Sequence, residues 1–279
     1  SDWLVSGHRP GPDLLYAPPP KAPQLENVAP WQADPILVSG ASAYRSGEFL
    51  YQDFLFDDHG AAGVKDPFDP FSASVQDFLF SPKDGSLTYP TDPVFANNGA
   101  DLVELRVKPL ADATAFRVTL NTLQDAERTA FTIAIGGSVP VFAWPHSAGV
   151  SSPAEWFLTV HGTTAELRSA AGMVQAPAPT VTVDLRRSQF EVRVPHAAWN
   201  PGQNKIRLAA GVGLWDTRAG HYLTPQARAS ETAPGGASAS GAALFNLAFR
   251  FDEPLPNLAV IGASLTLADA AVAVQIEDV

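Results

Sequence analysis

Aspartate side chains are concentrated in two loops of the N-terminal half of the chain. The first loop contains Asp57 and Asp58, and the second stretch contains Asp84, Asp92 and Asp101. Calcium takes about six to eight oxygen ligands from carboxylates, carbonyls and water. Clustered carboxylates repel one another unless a cation or hydrogen bonds compensate their charge. These five aspartates are therefore candidate calcium ligands, although EF-hand spacing is absent and turn residues that bind backbone amides are the alternative.

Tryptophans in turn-rich segments are the candidates for binding a sugar. Trp144 and Trp199 lie between Pro-containing turns, and Trp215 ends a predicted strand immediately before Asp216. A flat indole on a rigid loop suits one face of a pyranose, and a neighbouring carboxylate can bind hydroxyl groups. These four residues form the predicted ligand site. The alternative is that the tryptophans belong to the hydrophobic core.

Local signatures of catalysis are missing from the sequence. It contains no G-x-S-x-G elbow, no G-x-G-x-x-G or Walker loop, and no H-x-H or H-E-x-x-H pair. The absence of cysteine excludes disulfides, thiolate metal sites and cysteine nucleophiles. A glycosidase needs two facing carboxylates. With 29 acidic residues in the sequence, some pair can always be chosen, so the sequence does not test for a glycosidase.

Composition narrows the choice of partners. The net charge of −11 argues against a nucleic-acid partner, because phosphate neutralisation needs a basic surface. Acidity fits cation binding or neutral partners such as glycans. The sequence shows neither a signal peptide nor a membrane span.

Short alternating segments predict the elements that must position these residues. Phe116, Val118 and Leu120 alternate with polar residues, as in a half-buried strand. The predicted strands cover 102–107, 116–120, 131–135, 156–161, 165–168, 180–185, 189–194, 206–214 and 243–251. Turn residues separate them at short intervals, which is typical of an all-β antiparallel sandwich or barrel, and we predict the antiparallel β-sandwich.

Three regions are predicted along the chain. Residues 1–35 are rich in proline and alanine, which indicates an extended arm. Residues 36–258 form the single sandwich with long loops. Residues 259–279 are a C-terminal segment that fits either a strand or a helix.

Two stretches resemble a known family. The first is DGSLTYPTD at 84–92 followed by GADL at 99–102, and the second is VPHAAW at 194–199 followed by GVGLWD at 211–216. Together they resemble the C-terminal domain of glucodextranase, a DOMON-like sandwich related to family 9 carbohydrate-binding modules. The resemblance covers roughly residues 75–252. It implies a sandwich on a secreted or cell-wall-associated protein, with glycan binding or surface attachment as its role.

The expectation that follows is a secreted or cell-surface, non-catalytic protein that binds a polysaccharide or cell-wall glycan, with calcium as its candidate cofactor. One alternative is a structural protein of the cell surface that associates with itself through the proline-rich arm. Another is a hydrolase or lyase acting on polysaccharide.

Overall fold

The computed structural model describes residues 27–37, 41–56, 58–60, 87–96, 99–136, 140–202, 205–236 and 242–248, and the backbone of three further strands within 258–275. The described residues form seventeen strands and two short 3₁₀ helices, η1 at Pro93–Phe95 and η2 at Ala126–Arg128. The strands are β1 Ala41–Arg45, β2 Glu48–Gln52, β3 Leu102–Pro109, β4 Ala113–Leu120, β5 Thr129–Gly136, β6 Val141–Ala143, β7 Val150–Pro153, β8 Trp156–His161, β9 Thr164–Ser169, β10 Thr180–Asp184, β11 Gln189–Pro195, β12 Lys205–Asp216, β13 His221–Tyr222, β14 Leu244–Leu247, β15 Leu258–Ile261, β16 Ser264–Leu267 and β17 Val272–Gln275.

Two antiparallel sheets carry most of these strands. The first has the order β1-β2-β3-β4-β11-β10, and the second has the order β13-β12-β5-β8-β9. The long strand β12 also pairs with β14 and β17. The predicted all-β sandwich is therefore confirmed. None of the described residues forms a helix long and apolar enough to cross a membrane.

A small third sheet has the order β15-β16-β7-β6. Its β16–β7 pair is parallel, which differs from the purely antiparallel expectation. The segment 259–279 thus contributes strands to two sheets. Residues 1–26 of the predicted arm lie outside the described part of the chain.

Alternate residues of the strands build the core between the first two sheets. Phe116 and Val118 on β4 lie in the same buried cluster as Phe131 and Ile133 on β5. Phe131 also contacts Phe190 of β11 edge-on, with ring centroids 5.5 Å apart. This contact joins the two sheets, because β5 belongs to the second sheet and β11 to the first. The apolar residues that recur at every second position of the sequence are thus the ones that face the core in each strand.

The opposite face of the second sheet is also covered. Ala130, Phe157 and Trp215 lie on that face in a second buried cluster with Trp144 and Leu244. Gly211 of β12 permits this close approach, since a Cβ there would lie 2.6 Å from a Leu244 methyl carbon. The protein consequently has apolar layers on both sides of the second sheet.

The opposite face of the first sheet carries a buried network of charges. Glu104 Oε1 accepts hydrogen bonds from Arg106 Nε at 2.7 Å and from Arg117 Nη2 at 2.8 Å. Glu48 accepts from Arg106 Nη1 at 3.0 Å and from Lys108 Nζ at 3.3 Å. All five residues are at most 7% exposed. Buried charges of this kind persist when each has partners of opposite sign.

An extended segment, residues 27–37, covers this network, and we call it the strap. Glu48 Oε1 accepts hydrogen bonds from the backbone N–H groups of Gln32 and Ala33. In the opposite direction, Arg106 Nη1 donates to Ala33 O at 2.8 Å and Lys108 Nζ donates to Pro30 O at 2.7 Å. The strap thus satisfies its own backbone groups with side chains of the sheet rather than with a strand partner.

The Glu48→Gln substitution should reveal how much the network stabilises the fold. It removes the carboxylate that compensates Arg106 and Lys108, so the free energy of unfolding should fall by about 3–5 kcal/mol. The matched control is Arg193→Gln, which breaks the exposed pair with Glu191 and should cost less than about 1 kcal/mol. Urea denaturation measures both values. Equal losses in the two variants would contradict a stabilising role for the buried network.

Candidate ligand-binding site

A cleft of about 620 Å³ opens where the strand β12 ends. The two 3₁₀ helices, the turn that follows β12 and a loop near position 231 surround it. The residues that line it are Asp92, Phe95, Asp125, Glu127, Arg128, Trp215, Asp216, Thr217, Arg218, Leu223, Glu231 and Thr232. Its volume lies within the range of small-ligand sites, about 300–1,000 Å³. Two residues of the predicted glycan site, Trp215 and Asp216, are therefore brought together here.

Three aspartates of the cleft are fixed by the turns that they begin. Asp92 Oδ1 accepts a hydrogen bond from Val94 N, and Asp125 Oδ1 accepts one from Glu127 N, both at 3.0 Å. Each aspartate is the N-cap of its 3₁₀ helix. Asp216 Oδ1 accepts from the N–H groups of Arg218 and Ala219. Such side chain–backbone bonds hold a carboxylate in one orientation.

In two of these three aspartates, the second carboxylate oxygen accepts no hydrogen bond from the described residues. No described residue donates a hydrogen bond to Oδ2 of Asp92 or of Asp216, whereas Asp125 Oδ2 accepts from Arg128 Nε at 3.2 Å. The backbone N–H groups of Ala219 and Arg218 lower the pKa of Asp216 below its ordinary value. Asp216 is therefore an anion at neutral pH, suited to accepting hydrogen bonds.

The charge of the cleft is strongly unbalanced. Its lining contains five carboxylates but only two guanidinium groups, which leaves a formal net charge of −3. Arg128 is occupied by Asp125 and by the ring of Phe95, whose centroid lies 5.3 Å from its guanidinium carbon. The electrostatic character of the site is thus acidic, with aromatic surface beneath it.

Trp215 forms a wall shared by the cleft and the core. Its ring lies parallel to His161, with centroids 4.4 Å apart, while His146 and Tyr222 contact it at steep angles. Only 4% of the residue is exposed. The residue also lines the cleft.

A glycine allows Glu127 to approach the β8–β9 hairpin. Gly162 has φ +52°, and a Cβ at that position would lie 2.1 Å from Glu127 Oε1. Residues with a side chain rarely adopt this backbone conformation. Glycine therefore satisfies both requirements: the turn, and the space that the carboxylate fills at the edge of the cleft.

Trp144 and Trp199 do not line the cleft, and both are largely buried. Trp144 is 3% exposed, and its N–H donates to Ser152 Oγ at 2.8 Å. Trp199 is 9% exposed and lies against Phe116. Trp144 packs in the apolar layer on the outer face of the second sheet, and Trp199 packs in the core between the two sheets, so the alternative of core tryptophans fits both positions.

Of the predicted calcium ligands that the structure describes, Asp58 and Asp101 lie near each other, whereas Asp92 lies at the cleft. Asp57 and Asp84 lie outside the described residues, and Asp92 caps η1 at the cleft. Asp58 and Asp101 are fully buried. Tyr89 donates its hydroxyl hydrogen bond to Asp58 Oδ2, and its hydroxyl oxygen accepts from Ala100 N.

Asp101 is the most constrained of these carboxylates. Its Oδ2 accepts hydrogen bonds from Phe56 N and Asn121 Nδ2, both at 3.0 Å. Its Oδ1 is buried and has no partner among the described residues. Burial first, and then the nearby charge of Asp58, raises the pKa of Asp101 well above its ordinary value. Across the described ranges, no three His, Cys, Asp or Glu side chains converge as a metal site.

Comparison with known proteins provides no assignment. No family model matches the chain, and no significant match is found among curated proteins.

Sequence reasoning did not identify most of the cleft. Phe95, Asp125, Glu127, Arg128 and Glu231 were not predicted as site residues, although all of them line it. Asp125 and Asp92 did carry a signal, since aspartate is a typical first residue of a turn, where its side chain accepts a hydrogen bond from the backbone N–H two residues later. That signal identifies turns, but it cannot show which turns meet at one end of a sandwich.

Stability at acid pH should depend on His161, whose ring stacks on Trp215. Burial lowers the pKa of His161, Glu127 opposes that shift, and the neighbouring His146 reinforces it. As the pH falls, the His161 ring takes up a proton at a higher pH in the unfolded chain than in the folded protein. The stability that neutral His161 contributes is therefore fully present above about pH 6.5 and is lost as the pH falls. The midpoint of urea unfolding should therefore fall less between pH 7 and 5 in His161→Phe than in the unchanged protein. An identical fall in both proteins would contradict this account.

Proposed function

We propose that the protein is a non-catalytic, extracellular glycan-binding module whose ligand occupies the cleft at the end of β12. The observation that carries the proposal is the combination of fixed carboxylate acceptors with aromatic surface in one cleft. Sugar hydroxyls donate hydrogen bonds to carboxylates, and the apolar faces of sugars pack on aromatic side chains. Asp92 and Asp216 each offer one oxygen for this purpose, and Phe95 and Trp215 supply the apolar surface.

Binding is favoured over hydrolysis by the state of Asp216. A glycosidase needs a carboxylic acid whose pKa is raised, so that it can protonate the leaving oxygen. The pKa of Asp216 moves in the opposite direction, because two backbone N–H groups stabilise its anion. An anchored anion of this kind binds hydroxyls without donating a proton.

The indole N–H of Trp215 should contribute directly to affinity. Trp215→Phe retains an aromatic ring but removes the only donor of that side chain, so glycan affinity should fall about 3- to 10-fold. The ligand is first found on a glycan array, and its affinity is then measured by calorimetry. Trp199→Phe is the matched control, because Trp199 is also buried but lies away from the cleft, and it should bind as the unchanged protein does. Equal affinities in all three proteins would contradict this placement of the ligand.

We further propose that calcium stabilises the module at Asp58 and Asp101. The buried Oδ1 of Asp101 without a described partner is the observation that fits a cation. When bound, calcium would neutralise the two carboxylates and so remove the repulsion between them. Asp58 and Asp101 supply only part of the oxygen set that calcium requires.

Calcium should raise the melting temperature by about 5 °C at a concentration far above its Kd. The increase should be larger at pH 8 than at pH 5, since the raised pKa of Asp101 lets protons compete with the ion. Asp101→Asn should abolish the increase, whereas Asp92→Asn should retain it. Differential scanning fluorimetry in calcium and in EDTA checks each value. An increase that survives in Asp101→Asn would overturn the assignment.

A further inference from the structure

We propose that the outer face of the first sheet is a binding groove for an extended peptide, and that it accepts the strap of a second copy of this chain in place of its own. The groove is formed by side chains of five strands, namely Arg45, Glu48, Arg106, Lys108, Arg117 and Glu191. It shares no residue with the cleft at the end of β12 and needs no glycan, so it adds an activity beyond the proposed function.

The strap crosses the strands of the first sheet without pairing with them. At one end, the Trp31 ring lies over Arg117 of β4, and its N–H donates to Glu191 of β11. At the other end, Arg45 of the edge strand β1 donates to two strap carbonyl groups, at 3.2 and 3.3 Å. The strap therefore lies across the sheet as a bound peptide does, and only residues 38–40 separate it from β1.

Most hydrogen bonds between the groove and the strap involve the strap backbone. Glu48 accepts from two strap N–H groups, whereas Arg106 and Lys108 donate to strap carbonyl groups, as Arg45 does. Backbone bonds of this kind supply affinity in peptide recognition, and pockets for particular side chains supply specificity. These backbone bonds are the same whichever copy of the chain supplies the segment.

Three strap side chains act as anchors, and exposed side chains lie between them. Trp31 is 3% exposed, Ala33 is fully buried and Ile36 is 6% exposed, whereas Gln32 and Asp34 face solvent. A buried aromatic anchor commonly carries a large share of the binding energy at an interface. The groove is thus selective for a segment with a tryptophan and two smaller apolar residues at this spacing.

The groove is held in shape by bonds that do not involve the strap. Glu104 accepts hydrogen bonds from Arg106 and Arg117, and Glu48 accepts from Arg106 and Lys108. Side chains that are already fixed by one another lose little entropy when a ligand binds. The groove can therefore receive a new segment after its own strap has left.

A second copy is the partner that this groove fits. Every copy carries both the groove and the matching segment, so two copies can exchange straps reciprocally and form a closed symmetric dimer. Each groove is then filled and each hydrogen bond is retained. No strand pairing has to break, because no strap residue belongs to a strand, and β1 at the sheet edge lets a released strap extend away from its own sheet.

The experiment adds a fluorescein-labelled peptide with the sequence of residues 27–37 to the full-length protein and measures fluorescence polarisation. The strap of the same chain competes with the peptide, since a tethered segment has an effective concentration on the order of millimolar. Trp31→Ala in the protein weakens its own strap but leaves the groove intact. The peptide should therefore bind this variant at least about 10-fold more tightly than it binds the unchanged protein.

Further variants act as controls. Ile36→Ala weakens the strap at a different anchor and should also strengthen peptide binding, and circular dichroism checks that both variants are folded. Gln32→Ala is the matched control, because the Gln32 side chain is exposed, and it should bind the peptide as the unchanged protein does. A peptide with alanine in place of Trp31 should bind the Trp31→Ala protein at least about 10-fold more weakly than the unaltered peptide does.

Sedimentation of the full-length chains tests the second copy directly. The unchanged protein should form a dimer as its concentration rises, and Trp31→Ala should stay monomeric over the same range. Failure of both folded anchor variants to bind the peptide, or equal binding of the two peptides, would overturn the groove. Peptide binding without a dimer of the unchanged protein would overturn the second copy as the occupant. Glycan binding is measured separately at the cleft, so its failure would leave these results unaffected.

Discussion

The buried charges on the outer face of the first sheet are the constraint on which the surrounding structure depends. Glu48, Glu104, Arg106, Lys108 and Arg117 alternate with the core residues of their strands, so the pleat directs them away from the apolar interior. Each charge has a partner of opposite sign, yet a sheet face alone would leave them in water. The strap excludes that water and accepts hydrogen bonds through its backbone carbonyls. The position of residues 27–37 is thereby held by charged side chains of the sheet, among them the guanidinium group of Arg117 under the Trp31 ring and the Glu191 carboxylate that accepts from the Trp31 N–H. Ala33 and Ile36 add apolar contact with Leu50.

The same alternation explains what could be predicted from the sequence. Phe116, Val118 and Leu120 define a strand because their period matches one apolar interior, and this period is a local property. The same pattern predicted a half-buried strand, whereas β4 is buried on both faces, since a period of two cannot distinguish water from a covering segment. Burial of Arg106 requires a contact with Ala33, 73 positions earlier in the chain. No local pattern encodes a contact of that separation.

The burial of Trp144 and Trp215 likewise depends on a layer that covers the sheet. Both faces of the second sheet are covered, so an outward-facing Trp215 becomes a core residue along most of its surface. Trp144 is buried by the same covering layer. Trp215 and Asp216 end β12 and line the same cleft, since they are adjacent in the chain. The sequence could not bring Asp92 or Glu231 to them, since those residues come from loops that meet only after the two sheets have packed.

The cleft therefore combines side chains that are held in one position with exposed side chains that can rearrange. Trp215 is held by His161, His146 and Tyr222, so its edge cannot move without disturbing the second apolar layer. The carboxylates of Asp92, Asp125 and Asp216 are anchored by hydrogen bonds within their own turns. Glu231 and Arg218 are exposed and have longer side chains, which can rearrange. Since a fixed acceptor loses little entropy on binding, the proposed glycan-binding role would assign recognition to the anchored aspartates and Trp215, while Glu231 and Arg218 would adjust to the ligand.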